Sequence, residues 1–196
     1  MLCAGASSRL GEPKALANLG GSSVLERLLR AARVIDTEPV VVTGKDHAAI
    51  SEAARELDCV TIRNESWAEG RTGSVLTGSH ARAGADLLVM PADVPLVTER
   101  TVSALAAAWR EAGAPPRGWL APRLTEPDGR VRFGHPVVIG RGLCTDELQQ
   151  MSADAGLKTL RALADPLLSL EVTDSAVLDD LDTPSDLEAL RARLRG

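Results

Sequence analysis

Aromatic side chains are scarce in this sequence: tyrosine is absent, phenylalanine occurs once and tryptophan three times among 196 residues. Proteins that bind single-stranded nucleic acid stack its bases on aromatic rings, and this chain has few rings to offer. A formal net charge of −5 also disfavours a surface that coats a polyanion. We therefore expect no nucleic acid among the partners.

Long apolar runs and cysteine pairs are missing as well. Without an uninterrupted run of about eighteen apolar residues, we expect no membrane partner. Residues 1–5 lack the basic region and apolar stretch of a signal peptide. Cys3, Cys59 and Cys144 form no Cys-x-x-Cys pair, so buried free thiols are expected. These absences predict a cytoplasmic protein.

Short apolar runs alternate with helical patterns along the chain, which is 44% hydrophobic. Runs of this length are typical of strands buried on both faces, and alternating strands and helices favour a largely parallel sheet. The hydrophobic content suits one core. We predict a single α/β domain over residues 1–196. The expected strands are 40–43, 60–62, 87–90 and 137–139, and the expected helices are 24–35, 47–57, 73–83 and 101–112.

Several segments depart from this plan. Only Met1 and Leu2 precede the first glycine loop, whereas a strand usually has about five residues, so we expect the first strand to be short or truncated. Residues 113–118 are the best linker candidate, and residues 126–129 give a strong turn signal. We expect residues 119–139 to form an irregular or hairpin-like insertion that covers the sheet.

The loop that follows the first apolar residues carries the densest chemical signal. Its small residues let backbone N–H groups approach a polyphosphate, and Arg9 and Lys14 add two positive charges. A Walker A loop and the Gly-x-Gly-x-x-Gly fingerprint both fail on spacing. The loop predicts a nucleoside triphosphate site, the alternative being an ordinary flexible loop with solvated charges.

This loop resembles the signature of the MobA-like nucleotidyltransferases, Leu-Ala-Ala-Gly-x-Ser-x-Arg-Met-Gly-x-x-Lys. Cys3 and Leu10 depart mildly from that pattern. The resemblance covers nearly the whole chain and implies a three-layer Rossmann-like fold with a mainly parallel, mixed sheet. It implies that the following residues bind the nucleotide: Leu2, Cys3, Ala4, Gly5, Ser7, Arg9, Gly11, Lys14 and Ser74.

Residues 64–78 resemble the family segment that folds over the base and opens a helix. Ser74 lies where cytidylyltransferases of this superfamily place a hydroxyl that contacts the base. Together with main-chain groups near Cys3 and Ala4, this hydroxyl could recognise the amino and carbonyl groups of cytosine. The alternative is that Thr72 or Ser74 caps the helix.

Two acidic segments resemble the metal-binding segments of the family. The apolar run 87–90 delivers Asp93 at its carboxyl end, where ligands bind in open α/β sheets. The family has Gly-Asp-x-Pro here with the Asp as metal ligand, and Ala92 replaces the Gly. Asp182, before Thr183-Pro184, corresponds to the second metal contact and equally suits a helix start. The implied cofactor is Mg²⁺, which prefers oxygen ligands.

Other acidic and histidine residues receive weaker roles. Asp179 and Asp180 are interpreted as loop or turn residues. Gly134-His135-Pro136 is typical of the molybdenum cofactor cytidylyltransferase branch, and residues 153–158 resemble its Gly-Asp-x-Gly-x-Arg segment. The resemblance implies acceptor contacts by His135 and Asp154, although a solitary histidine is more often structural.

The implied reaction is transfer of a cytidylyl group from CTP to a phosphorylated acceptor, with molybdopterin the best guess, and release of pyrophosphate. Arg9, Lys14 and Asp93 would be the catalytic residues. An acceptor phosphate is already anionic, so positioning and electrostatic stabilisation suffice without a strong general base. A transient contact with the enzyme that receives the cofactor is a further expected partner.

Four other activities stay open. The guanylyl branch shares the loop, and the cytidylyltransferases acting on methylerythritol phosphate share an Arg-x-x-Ser-Val segment, present here at residues 71–75. Some proteins resembling the family are oxidoreductases acting on pigments, although no dinucleotide fingerprint is present here. A non-catalytic nucleotide-binding module is the fourth.

Overall fold

The computed structural model describes residues 1–152 and 154–195. Its helices are α1 Val24–Ala32, α2 His47–Glu56, α3 Arg71–Ala81, α4 Glu99–Glu111, α5 Leu157–Ala162 and α6 Pro184–Arg193. Its strands are β1 Leu2–Cys3, β2 Asn18–Leu19, β3 Ser22–Ser23, β4 Val40–Thr43, β5 Val60–Arg63, β6 Leu87–Val89, β7 Trp119–Thr125, β8 Val131–Phe133, β9 Val137–Ile139 and β10 Leu167–Glu171. Short 3₁₀ turns and one π-helical turn, Leu143–Glu147, complete the order.

Two helices begin as their sequences predict. The Ser23 hydroxyl accepts a hydrogen bond from the backbone N–H of Glu26 at 3.1 Å and caps α1. At the start of α6, Thr183 and Asp186 form a capping box and Pro184 occupies the first turn. The second cap fixes the backbone immediately after Asp182.

The strands form a mixed arrangement around β1. Strand β4 pairs in parallel with β1 and with β5, while β6, β9, β7 and β10 follow one another in a second sheet that combines parallel and antiparallel pairs. The two sheets meet at Leu2, whose N–H donates to Met90 at 2.9 Å and whose carbonyl accepts from Ala92 at 3.0 Å. Although β1 has two residues, it therefore joins the segments that carry Gly5 and Asp93.

Helices cover both faces of the second sheet. Alternate residues along a strand point to opposite faces, and in β7 Trp119 packs with Leu143 and Leu160 whereas Leu120 packs with Leu105 and Trp109 of α4. The sheet is thus a middle layer, with α4 on one side and α5 with the π-helical turn on the other. This confirms the α/β class and the mixed sheet.

Residues 119–139 do not form a covering insertion, and that expectation is wrong. Strand β7 pairs with β9 and β10 inside the sheet, and β9 pairs with β6. Only β8 lies outside this path, paired with the end of β7. Burial explains the difference, because Trp119, Leu120 and Ala121 are all at most 5% exposed and supply core surface. Strand β10 was not predicted, and none of its five residues is fully buried.

The cysteines are free, as predicted. Cys3 and Cys144 are buried, and burial raises the pKa of Cys3 to about 11 and that of Cys144 to about 12. Cys59 is half-buried. Across residues 1–152 and 154–195, no helix combines the length and hydropathy needed to cross a bilayer.

Gly44 lies directly after β4, where three chain segments approach one another closely. A Cβ atom on Gly44 would lie 2.6 Å from Trp67 Cβ and closer still to the carbonyl oxygen of Ala4. The absence of a side chain at this position therefore lets the 67–71 segment lie against the first loop.

We predict that Gly44→Ala destabilises the fold by about 1–3 kcal/mol, because the added methyl group overpacks two backbone segments. At about 2–4 °C per kcal/mol, a thermal melt measures this shift. Gly5→Ala is the matched control, since no atom lies within 4 Å of its added Cβ. Equal melting temperatures for the two variants would contradict the close approach at Gly44.

Candidate functional site

A cavity of about 520 Å³ opens where β1 and β6 end. Its walls come from the first loop, the start of α3, the segment after β6 and the segment before α6. It is lined by Leu2, Cys3, Ala4, Gly5, Ala6, Ser7, Ser8, Arg9, Pro13, Lys14, Ala15, Ile50, Trp67, Gly70, Arg71, Ser74, Pro91, Ala92, Asp93, Asp180 and Asp182. Of the predicted nucleotide-binding residues, only Gly11 is not part of this lining.

The first loop is folded by its own hydrogen bonds. The Ser7 carbonyl accepts from the N–H groups of Leu10 and Gly11 at 3.1 and 3.2 Å, and the Ser7 hydroxyl accepts from the N–H of Lys14 at 3.1 Å. Ser7 and Gly11 both have positive φ angles, 48° and 84°, and Gly11 tolerates this without a Cβ penalty. Gly11 thus shapes the loop from outside the cavity wall.

Asp182 holds both cations of the loop. Its carboxylate accepts from the Arg9 guanidinium and from the Lys14 ammonium. The hydrogen bond from Lys14 is the main reason that the pKa of Asp182 is lowered; burial opposes this shift, and the charges of Lys14 and Arg9 lower the pKa further. Residues predicted to bind phosphate and metal therefore neutralise one another in the free protein.

Asp93 forms the second ion pair, on a different cation. Its Oδ2 accepts from Arg71 Nη2 at 2.9 Å. Its Oδ1 is buried and has no hydrogen-bond partner in the described part of the chain. Its carbonyl accepts from the N–H of Leu181 at 2.9 Å, which ties the two acidic segments together. An unpartnered buried carboxylate oxygen is a ligand atom suited to a hard cation.

Asp180 lies in a loop, as interpreted from the sequence, and also faces the cavity. Partial burial raises its pKa, and the nearby negative charges of Asp182 and Asp93 raise it further. Asp179 instead bonds Arg193 of α6 at 2.6 and 3.2 Å, a structural role. Because successive side chains along the chain point in alternating directions, Asp180 faces the cavity and Asp179 faces α6.

The carboxylates of Asp93 and Asp182 fit a Mg²⁺ ion that is held partly by the phosphates of a bound substrate. Between residues 1 and 195, leaving out 153, no three His, Cys, Asp or Glu side chains converge as a preformed metal cluster. Asp93 and Asp182 instead offer hard oxygens around one cavity. Magnesium typically binds proteins through one or two carboxylates plus phosphates and water, so this sparse set is suitable.

Ser74 is not a helix cap, and neither is Thr72. Helix α3 begins at Arg71 with Gly70 at the N-cap, so both hydroxyls lie inside its first turn. The Thr72 hydroxyl donates to the carbonyl of Ala155, whereas Ser74 is 4% exposed and borders the cavity. The cap interpretation is therefore wrong, and contact with the base stays a prediction for Ser74.

His135 and Asp154, the predicted acceptor residues, occupy different surroundings. His135 is half-buried near Asp93 and Arg71, and its buried Nδ1 has no partner among residues 1–152 and 154–195. Burial lowers its pKa, and Arg71 lowers it further against the opposing charge of Asp93. Asp154 is exposed and does not line the cavity. Residue 153 of the same segment lies outside the described residues.

Sequence reasoning missed three residues of the site: Asn64, Trp67 and Arg71. They lie in segments that were recognised only as a whole, 64–78 and the Arg-x-x-Ser-Val segment 71–75, so none of the three received a role of its own. The signal that could have found them is position, because Arg71 opens the helix that carries Ser74 and Asn64 directly follows β5.

A folded small-residue loop with two cations faces carboxylates from the segments after β6 and before α6, and the fold is an α/β fold of the nucleotidyltransferase type. Residues 1–169 match the MobA-like NTP transferase domain, and the chain belongs to that family. It is a member of the nucleotidyltransferase superfamily.

Three known proteins are similar to this chain along nearly its whole length. Nicotine blue oxidoreductase of Paenarthrobacter nicotinovorans is 30% identical over 195 residues, covering 97% of this chain and 94% of that protein. A nucleotidyl transferase from Methanothermobacter thermautotroptrophicus, Mth528, has a TM-score of 0.77 at 24% identity, covering 99% and 95% of the two chains. Rv0371c from Mycobacterium tuberculosis, solved in complex with manganese, has a TM-score of 0.70 at 25% identity, covering 97% and 95%.

The buried His135 makes stability depend on pH. Because its pKa is lower folded than unfolded, the unfolded chain binds the extra proton, and stability present above about pH 6.5 is lost as the pH falls. We predict that the wild-type protein loses up to about 1.4 kcal/mol per pH unit more than His135→Gln below that pH.

Denaturant unfolding at several pH values measures this difference. The control is His80→Gln, which changes an exposed histidine of α3 and should keep the wild-type pH dependence. If the free energy of unfolding changes equally with pH in the wild type and in His135→Gln, His135 is readily protonated in the folded protein.

Proposed function

We propose that this protein, acting as one domain over residues 1–196, transfers a cytidylyl group from CTP to a phosphorylated acceptor and releases pyrophosphate. The observation that carries this proposal is the meeting of Arg9, Lys14, Asp93 and Asp182 around one cavity. Molybdopterin is the acceptor that the Gly134-His135-Pro136 motif favours.

Triphosphate binding would proceed by exchange of charge partners. Arg9 and Lys14 already lie beside the loop that approaches the phosphates, and each can leave Asp182 for a phosphate oxygen. Charge-assisted hydrogen bonds to phosphate are strong, so the exchange compensates for the lost ion pairs. The Asp182 carboxylate is then free to hold Mg²⁺ together with Asp93.

Transfer itself requires alignment and charge stabilisation. Bound Mg²⁺ would polarise the α-phosphate and neutralise part of the charge on the leaving pyrophosphate. Arg9 and Lys14 hold that pyrophosphate, so an acceptor phosphate oxygen can attack the α-phosphorus from the opposite side. The bond to pyrophosphate breaks as the new phosphoanhydride bond forms, and no proton has to be removed from the nucleophile.

The acceptor would approach from the side of Asp93 and Arg71. His135 lies behind these residues as a neutral imidazole, since burial lowers its pKa, and it can support the acceptor pocket there. Asp154 would take part only from the outer rim. Transient docking of the enzyme that receives the product stays a proposal of the same kind.

One observation favours a second candidate function. The relative aligned over 97% of this chain is named as an oxidoreductase acting on nicotine blue. On that alternative the cavity would hold a nicotinamide cofactor and a pigment. Oxidation of NADPH, followed by its absorbance near 340 nm, tests this directly. Arg9 and Lys14, the loop cations paired with Asp182, favour binding of a triphosphate over this alternative.

A pyrophosphate-release assay with all four triphosphates and Mg²⁺ tests the proposed reaction. With a molybdopterin acceptor, CTP should give the highest rate. Release with GTP in preference to CTP would return the guanylyl alternative to first place. Nucleotide binding without pyrophosphate release with any acceptor would favour the non-catalytic module.

We predict that Asp93→Asn lowers kcat at least about a hundredfold, the usual order for losing a preorganised charge at the reacting centre. The fold should persist, because Asp93 lies at a strand end and borders the cavity. Asp179→Asn is the control with the opposite expectation: it loses the pairing with Arg193, so its melting temperature should fall while kcat is retained. Normal Mg²⁺-dependent turnover by Asp93→Asn would remove Asp93 from the site.

We predict that Arg9→Ala and Lys14→Ala each weaken CTP binding or turnover by about 1.5–3 kcal/mol, the net value of a hydrogen bond to a charged group. Arg9→Lys should restore only part of the loss, because a point charge does not replace a fork of donors. Arg110→Ala, at an exposed position of α4, should leave the kinetics unchanged. If both loop variants behave like Arg110→Ala, the triphosphate binds elsewhere.

A further inference from the structure

We infer that Asn64 determines base specificity by holding the Ser74 hydroxyl as a hydrogen-bond donor toward the cavity. The inference rests on the proposed function in one respect, namely that a nucleotide base lies beside Ser74. The observation that supports the inference is a buried hydrogen bond from Asn64 Nδ2 to Ser74 Oγ, 3.0 Å long.

The orientation of the Asn64 amide is fixed by its surroundings. Asn64 is 6% exposed, and its own N–H donates to the carbonyl of Thr43 at 2.8 Å. The backbone N–H of Ser66 lies 3.1 Å from Asn64 Oδ1. A backbone N–H can only donate, so the amide oxygen must face Ser66. The amide NH₂ group is consequently the one that faces Ser74.

This orientation determines what Ser74 can do. A serine hydroxyl has one proton and two lone pairs, and the Asn64 amide occupies a lone pair. Serine in a helix often donates its proton to the carbonyl four residues earlier, which would be that of Gly70. Ser74 makes no such bond, nor any other donation to a protein group within the described chain. Its proton is therefore available to a ligand in the cavity.

A fixed donor selects the base more strictly than a freely turning hydroxyl does. A serine without a neighbour could either donate or accept and would tolerate an amino or a carbonyl group. Asn64 occupies one lone pair of Ser74 and the Ser74 proton has no protein acceptor within the described chain, so Ser74 favours a base that offers a carbonyl or unprotonated ring nitrogen to that proton. Cytosine offers both acceptors beside its amino group, so it can meet this donor.

Trp67 provides a probe of binding that does not require turnover. It lines the same cavity as Ser74, whereas Trp109 and Trp119 are each 5% exposed in the core. Nucleotide added to the protein should therefore change chiefly the Trp67 fluorescence. A Trp67→Phe variant, in which the change disappears, verifies the origin of the signal.

The test is Asn64→Asp, which keeps the shape but removes the NH₂ donor. A carboxylate can only accept, so it turns the Ser74 proton toward residue 64 and away from the base. By fluorescence titration with CTP, we expect Kd to rise about tenfold, the value of one hydrogen bond, and the preference for CTP over GTP to shrink equally. Asn18→Asp makes the same chemical change at an exposed position of β2 and should leave Kd unchanged.

A second variant separates the donor effect from a folding defect. Asn64→Asp introduced into Ser74→Ala should raise Kd no further, because the hydroxyl through which it acts is gone. If Asn64→Asp raises Kd by the same factor in the wild type and in Ser74→Ala, the inference is overturned. So would an unchanged CTP preference in a folded Asn64→Asp protein, and the proposed function would then still stand. A wild-type protein that binds no triphosphate would overturn both.

If Asn64→Asp does not fold by its melting curve, Asn64→Ala tests the same point. Ser74 is then free to turn, and the preference for CTP over GTP should fall while turnover with CTP remains. An Asn64→Ala protein with the wild-type preference would contradict the inference.

Discussion

In the free protein, the arrangement of the site depends on acidic and basic side chains that pair with one another around a single cavity. Asp182 receives Arg9 and Lys14, and Asp93 receives Arg71. Carboxylates crowded together without cations repel one another: the pKa of neighbouring Asp180 is raised first by partial burial and then further by the charges of Asp182 and Asp93. The same groups that would hold a metal and a triphosphate thus keep the site together before either binds.

The short strand β1 makes this arrangement possible. Leu2 pairs with β4 on one side and bridges to the segment after β6 on the other, so the first loop emerges between its partners. The contact of Asp93 with Leu181 then brings the second acidic segment to the same edge. Residues separated by most of the chain become neighbours through backbone hydrogen bonds, leaving their side chains available for ligands.

The sequence was most informative where one local pattern decides the structure. The buried runs at β4 and β9 and the cap at Thr183 depend mainly on adjacent residues, and these were predicted correctly. Strand β7 was misjudged because its role depends on partners on both sides, including β10. For the site, the loop and Asp93 were recognisable as motifs, but the pairing of Asp182 with Lys14 and of Asn64 with Ser74 depends on distances that no spacing reveals.

A crystal structure with Mg²⁺ and a non-hydrolysable CTP analogue would decide whether the charge partners exchange as proposed. It should show Arg9 and Lys14 on phosphate oxygens, Asp93 and Asp182 on the metal, and Ser74 donating to the cytosine. A nucleotide bound away from this cavity, with Arg9 and Lys14 still on Asp182 and Arg71 still on Asp93, would contradict the proposed site and its chemistry.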